Sequence, residues 1–243
     1  MDALPRMIPS NHGLDKRATF VQGGRTLDLT GHLHYDVFNQ DKFLRIGVDG
    51  VEVRMRLVRS KGFFCLIEGN TMSQIRILDA TLCIRRARIN PGILLVHTQM
   101  LTRTTAKYPF TRVEVKSFMI HSGVVGETLD NVILGQTPKR IIIGFVDNKA
   151  FNGARHLNPF NFQHYGINLF SLYVDDTQVP CRPLHPKFFG DEMLYTEAYH
   201  TLFSGTGIHF LNETNSISRE DYPAGYTLFA FDLTPDLSSN CTD

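Results

Sequence analysis

Three pairs of residues in this sequence have types and spacings that could begin a metal site. The pairs are His32 with His34, Glu197 with His200, and Cys181 with His185. The first pair would share one face of a strand, the second has the helical spacing of a di-iron ligand pair, and the third combines two zinc-binding side chains. Each pair lacks the further ligands that its kind of site requires, so we predict no metal site.

The sequence contains no motif for nucleotide binding or nucleophilic catalysis. A glycine-rich phosphate loop ending in Lys-Ser/Thr is absent, and so is a G-x-S-x-G nucleophile elbow. The four cysteines, Cys65, Cys83, Cys181 and Cys241, show no C-x-x-C spacing, which favours free thiols in a reducing compartment. We therefore predict no catalytic residue, no cofactor and no enzymatic activity.

The distribution of charge is more informative than its total of +1. The segment Val51–Lys116 contains twelve Lys or Arg and four Asp or Glu, whereas Pro186–Asp243 contains two and nine. Arg85, Arg86 and Arg88 form the densest basic cluster and are candidate contacts for nucleic acid phosphates. The alternative is that these charges simply face solvent from strands.

Short apolar or alternating segments, bounded by turn residues, predict many strands. The clearest alternation of apolar and polar residues runs from Val51 to Leu57. The stretch from Arg140 to Asp175 predicts two buried strands joined by a loop that is rich in aromatic residues. We expect this loop to pack against another element or another subunit. The predicted strands are 25–33, 51–57, 63–67, 74–89 with a bulge near 77–79, 113–115, 141–146, 167–174 and 226–233. The proline-containing segment from Val179 to Phe189 is predicted to be extended but irregular.

Two helices interrupt the strands. Asn90-Pro91 has the residue types of an N-cap and a first helical position, and an apolar period continues to about Arg103. Asp191 is predicted to cap a second helix that ends before Gly205. With 42% hydrophobic residues, the pattern predicts an all-β antiparallel sandwich with inserted helices. No signal sequence or membrane-spanning run is evident, so we expect a protein that is not secreted and has no membrane partner.

Three stretches give the sequence a family resemblance. They are PKRIIIGFVDNKAFNG (Pro138 to Gly153), NPFNFQHY (Asn158 to Tyr165) and YTLFAFDLTPD (Tyr226 to Asp236). These stretches resemble the major capsid protein of Polinton/Maverick elements and adintoviruses. The motif and packing residues are Gly144, Asp147, Asn148, Phe151, Asn158, Pro159, Phe160, Phe162, Tyr226, Phe229 and Phe231.

The resemblance implies a partial double jelly roll truncated at both ends, because members of that family are about twice this length. The implied divisions are a loose lead-in (1–17), closing strands of a first jelly roll (18–72), most of a second (73–236) and a polar tail (237–243). The implied function is a transposon-derived capsid subunit that self-associates into trimers or larger assemblies around double-stranded DNA, located in a virion or in the host nucleus or cytoplasm. The alternative is a host-adopted β-sandwich module that binds protein, glycan or nucleic acid.

Overall fold

A computed structural model describes residues 12–38, 40, 42–44, 52–58, 67, 73–208 and 215–234. The chain divides into two compact units. The first unit comprises the described residues of Met1–Gly24, Ser60–Gln74 and Ile120–Asp243. The second unit comprises the described residues of Arg25–Arg59 and Ile75–Met119.

The structure is mixed α/β, with 21% helix and 14% strand, and the prediction of an all-β jelly-roll sandwich is therefore wrong. The strands form two small two-stranded sheets. In chain order the elements are α1 (His12–Val21), α2 (Pro91–Leu101), β1 (Arg140–Gly144), α3 (Asn148–Phe151), β2 (Phe170–Val174), β3 (Thr177–Leu184), α4 (Thr196–Ser204) and β4 (Leu228–Asp232). Short 3₁₀ turns occupy Gln22–Gly24, Asp36–Phe38 and Tyr222–Ala224.

The alternating segments of the first half explain this error. Residues 25–33, 52–57, 74–89 and 113–115 form neither helix nor strand, although their sequences alternate as strands do. Alternation places side chains on two faces, but a strand also needs a partner for its backbone hydrogen bonds. In the described part of the chain, none of these segments is paired as a strand, so the predicted bulge near 77–79 is wrong as well. The predicted strand 63–67 lies outside the described residues except for Ile67.

The first unit is built on two antiparallel strand pairs. β1 pairs with β4, with Ile142 opposite Ala230, and β2 pairs with β3. Phe170 of β2 stacks on Phe229 of β4, with 4.6 Å between ring centroids, and on Phe231 at 5.7 Å. The strands from the 140–175 stretch thus belong to different sheets that meet through aromatic rings.

The sequence predicted that both strands of that stretch are buried, and this prediction is wrong. Alternate residues of β1 are exposed, and Ile142 retains 59% of its accessible surface. Tyr173 of β2 retains 62%. Ile142 and Tyr173 thus lie on strand faces that are open to solvent, whereas the residues beside them pack into the core.

The β2–β3 hairpin shows that the proline-containing segment is a strand. Asp175 and Asp176 both have positive φ, as a two-residue type I′ turn requires. The register then shifts between Leu172 and Phe170, so that β3 contains extra residues opposite β2. Pro180 and Pro183 lie in that irregular part, where their missing N–H groups interrupt no regular ladder. The segment is thus extended with irregular pairing, as predicted, although its first part belongs to a strand that ends at Leu184.

Helix α4 covers β4. It begins at Thr196 rather than near Asp191, and its N-cap is Tyr195, which makes no side-chain capping bond; the predicted cap was therefore wrong. It ends before Gly205 as predicted. A Cβ atom on Gly205 would overlap the backbone of Ala230 and Phe231, so this glycine permits the close approach of helix and strand.

The second unit contains α2 and confirms the helix predicted at Asn90-Pro91. The Asn90 side chain accepts a hydrogen bond from the Gly92 N–H at 2.9 Å, and Pro91 opens the helix. None of the helix residues is buried. Elsewhere in this unit, the Gln40 side chain donates to the Pro109 carbonyl oxygen at 2.9 Å.

The sequence from Thr19 to Val21 resembles a strand, but α1 occupies His12–Val21 at the start of the described chain, so a strand there is the wrong prediction. Gly23-Gly24 has the sequence of a turn, and both residues have the positive φ that suits one. Within the described ranges, every helix is too short or too polar to cross a bilayer.

We expect Phe229→Ala to destabilise the first unit strongly, because Phe229 is fully buried and contacts Phe145 and Phe170. The expected loss in the free energy of unfolding is about 3–5 kcal/mol. Tyr173→Ala is the matched control, since this aromatic residue lies on a strand but is exposed, and it should cost less than about 1 kcal/mol. Urea denaturation followed by circular dichroism measures both, and equal losses would contradict the proposed core.

Candidate functional site

The motif residues of the 138–153 stretch form a strand, a cap and a short helical turn. β1 ends at Gly144, and Asp147 then caps α3. The Asp147 Oδ1 atom accepts hydrogen bonds from the N–H groups of Lys149 at 2.7 Å and Ala150 at 3.2 Å. Ala150 is buried, whereas Phe151 remains 41% exposed. Asp147 and Asn148 thus begin a helix and do not form a simple turn between two strands.

Asn158-Pro159 has the residue types of a turn, and the structure contains this turn. The Asn161 N–H donates to the Asn158 carbonyl oxygen at 3.2 Å, which closes a turn with proline at its second position. The Asn158 side chain accepts a further bond from the Phe160 N–H at 2.9 Å. Asn158 is only 8% exposed, so the turn is anchored to the body of the unit.

The chain after this turn inserts between the ends of β1 and β4. The Phe162 N–H donates to the Gly225 carbonyl oxygen at 2.9 Å, and its own carbonyl accepts from the Thr227 N–H at 3.0 Å. The next residue, Gln163, donates to the Phe145 carbonyl oxygen at 3.0 Å. Residues from all three motif stretches therefore meet here, and we call Gly144, Phe162, Gly225, Tyr226 and Thr227 the motif junction.

Gly144 is required at the junction because two side chains occupy the space beside it. A Cβ atom added to Gly144 would lie 2.6 Å from Leu228 Cδ2 and 2.7 Å from Phe162 Cδ1. Phe162 is fixed by backbone bonds on both sides, so its ring has little freedom to withdraw. The glycine in the motif is thus explained by packing rather than by chemistry.

The other motif aromatics divide between core and surface. Phe229 and Phe231 are buried in the core, Phe160 and Phe162 are half-buried, and Tyr165 is 55% exposed. The aromatic loop is thus packed in part against its own unit, with Phe151 and Tyr165 at the surface.

His164 makes aromatic contacts that the sequence did not predict. Its ring stacks on Phe188, with centroids 4.2 Å apart, and meets the edge of Phe189. The Nδ1 atom accepts a hydrogen bond from the Gly166 N–H at 3.0 Å, and burial lowers the pKa of the imidazole. These properties favour a neutral structural histidine, and no sequence signal distinguished it from the other nine histidines.

Three further ionisable groups are shifted by their surroundings. Burial raises the pKa of the Tyr222 phenol, whose hydroxyl donates to the Leu228 carbonyl oxygen at 3.0 Å. Burial and the negative charge of Asp147 raise the pKa of Tyr165. The hydrogen bond from Thr234 and the nearby Arg140 lower the pKa of Asp232. Each shift has a structural cause, and none of these groups faces a nucleophile or a candidate metal ligand.

The candidate metal pairs remain separate. His32 and His34 are exposed and lie outside any strand, and Glu197 and His200 are exposed on α4. Cys181 is disulfide-bonded and Cys83 is an exposed free thiol, so the expectation of free cysteines is wrong for Cys181. In the described part of the chain, no three His, Cys, Asp or Glu residues come together as metal ligands would.

The basic cluster lies in the second unit. Arg85, Arg86 and Arg88 are exposed in a segment without regular secondary structure. A shallow groove of about 470 Å³ follows α2, lined by Leu101, Thr102, Arg103, Thr104, Thr105 and Lys107. These lining residues are nearly consecutive, so the groove lacks the convergent polar groups of a small-molecule site.

Comparisons with known proteins give one relevant relative. An uncharacterized protein of Caenorhabditis elegans is 25% identical over 226 residues, which cover 90% of this chain and 52% of that protein. The chain thus spans about half the length of the curated relative it matches. No protein-family model and no solved structure matches the sequence.

We expect Gly144→Ala to destabilise the motif junction by about 1–3 kcal/mol, the usual cost of overpacking, because the added methyl group would clash with Leu228 and Phe162. Gly126→Ala is the matched control, since a Cβ atom there has no neighbour within 4 Å. Thermal unfolding measures both variants. A Gly144 variant as stable as the control would show that the packing around this glycine is looser than described.

Proposed function

We propose that this chain is a structural subunit whose function is to bind copies of itself, as a capsid subunit does. The resemblance of its three longest motifs to the Polinton/Maverick and adintovirus capsid protein supports this function. The motif residues also support it, because they form a packing junction and not a reactive cluster. The proposal assigns no chemical reaction to the chain.

The observation that carries the proposal is the exposure of helix α2. The apolar side chains of a helix normally face a core, yet Ile93, Leu95, Val96 and Met100 of α2 retain 49–61% of their surface. Nearby in sequence, Val113 and Val115 are 82% and 92% exposed. Apolar surface of this extent indicates a surface that another protein covers. Self-association would cover it in every copy.

We expect Leu95→Glu to weaken self-association about tenfold or more, because it places a charge in the apolar surface that the proposed contact buries. Gln99→Glu is the matched control, since it adds the same charge to an already polar, exposed position of α2. Sedimentation velocity across a range of protein concentrations measures the association. A parent protein that stays monomeric at high concentration would overturn the proposed function.

Binding of nucleic acid is a second candidate function, favoured by the basic cluster. Arg85, Arg86 and Arg88 are all exposed, and among the described residues none of the three forms an ion pair with an acidic side chain. Double-stranded DNA is the ligand that the resemblance implies. Three neighbouring cations on an extended segment suit contact with phosphates rather than recognition of bases.

We expect the triple change Arg85→Ala, Arg86→Ala and Arg88→Ala to weaken binding to a short DNA duplex. The slope of log affinity against log salt should fall by about 0.9 for each phosphate that the protein no longer neutralises. Arg112→Ala is the control, because Arg112 is already paired with Glu114. Fluorescence anisotropy at several salt concentrations provides the measurement, and an absence of DNA binding at low salt would remove this candidate.

A further inference from the structure

The pairing of β1 with β4 determines which backbone groups face outward. The Leu233 N–H donates to the Lys139 carbonyl oxygen at 2.7 Å, just beyond the end of the pair. Bonded and non-bonded pairs alternate along antiparallel strands. The backbone groups that point away from the pair are therefore those of Arg140, Ile142 and Gly144 on β1, and of Leu228, Ala230 and Asp232 on β4.

The outer edge of β4 is closed by α4. The Ala230 N–H points outward, as this alternation requires, and donates to the Thr201 Oγ1 atom of α4 at 3.2 Å. Ala230 is 2% exposed and Thr201 is 8% exposed. Gly205 lets the helix approach the strand backbone. This edge is therefore covered within the subunit and is protected from pairing with another chain.

Among the residues that the structure describes, none covers the outer edge of β1 in this way. Within the described ranges, no residue forms a hydrogen bond with the outward backbone groups of Arg140 or Ile142. The Ile142 side chain is 59% exposed beside them. An edge strand with exposed apolar residues and free backbone groups is a template for a further strand. No proline or inward-pointing charge within β1 blocks this edge.

We propose that β1 pairs with β1 of a second copy, antiparallel and centred on Ile142. This arrangement places Ile142 opposite its own counterpart and Arg140 opposite Gly144 of the partner. A parallel arrangement would instead place Lys139 and Arg140 beside the same two cations of the second copy, and like charges directly opposite destabilise a strand pair. The charge distribution of the strand thus selects the antiparallel, two-fold arrangement.

The result is one continuous sheet in the order β4–β1–β1–β4, closed at both ends by a copy of α4. The pairs at Ile142 and at Arg140 with Gly144 each exchange main-chain hydrogen bonds. No free edge remains at either end of this sheet, so the pairing closes as a dimer and does not extend into a fibre. This contact deepens the proposed function and rests on it, because it names one surface through which copies bind.

The test replaces the outward N–H group. Ile142→Pro removes a donor that the subunit itself does not use, and proline is tolerated at such edge positions. Ile142→Thr is the matched control, because it retains the N–H group and the β-branched shape. In sedimentation velocity we expect Ile142→Pro to weaken the two-fold contact about tenfold or more and Ile142→Thr to weaken it much less.

A cross-linking experiment gives a second readout that does not depend on how proline affects folding. With the exposed free thiol removed by Cys83→Ser, Ile142→Cys should be joined to its counterpart by a short thiol cross-linker, since directly opposite Cβ atoms lie about 5 Å apart. Gly126→Cys is the control at an open position and should cross-link no more than the Cys83→Ser parent.

The outcomes separate this inference from the proposed function. Association that is abolished in Leu95→Glu but unchanged in Ile142→Pro, with no cross-link at position 142, would overturn the β1 contact and leave the proposed function standing. A parent protein that never associates would overturn both. Weakened association in Ile142→Pro, together with the cross-link at position 142, is the result that we expect.

Discussion

The stacking of Phe170 on Phe229 and Phe231 is the contact on which the first unit depends. Each of the two sheets contains only two strands, and an isolated two-stranded sheet is at best marginally stable in water. The rings join the two pairs into two layers with a shared apolar interior. Phe145 meets both Phe170 and Phe229 edge-on, so rings on three segments of the chain meet at one place. The packing of α4 on β4 and the motif junction at the end of β1 both extend from this interior.

This dependence explains the distribution of the motif residues. Phe229 and Phe231 belong to the aromatic interior, Gly144 admits the Phe162 ring, and Asp147 redirects the chain from β1 into α3. Their roles are to pack, to turn the chain and to make room for neighbours. Residues with such roles form a structural framework, whereas a reactive cluster would indicate chemistry at this place. The proposed function therefore concerns surfaces and not catalysis.

The sequence correctly predicted those elements that are determined by a few neighbouring residues. Asn90-Pro91 predicted the start of α2, since an N-cap and a first-position proline act on their own helix. The turn at Asn158-Pro159 is local in the same way, since proline restricts its own φ and the conformation of the residue before it. The strand predicted at 52–57 failed because alternation is necessary for a strand but supplies no partner. β3 was missed because Pro180 and Pro183 are unfavourable in a sheet only where a regular ladder needs their N–H groups. The contact of Gly205 with β4 is set by tertiary packing, which periodicity does not report.

The β1–β4 sheet and helix α2 each leave groups exposed that proteins usually bury. A strand pair offers two edges, and α4 covers only one, through the Thr201 hydroxyl and the bare backbone at Gly205. Among the described residues of the first unit, no further element closes the second edge, which runs along β1. In the second unit, α2 is likewise apolar without buried residues. Both features are unfavourable in an isolated subunit, because each leaves groups in water that bury well in protein. The proposed contact between copies would remove both costs, and association and the stability of the subunit would then increase together with protein concentration.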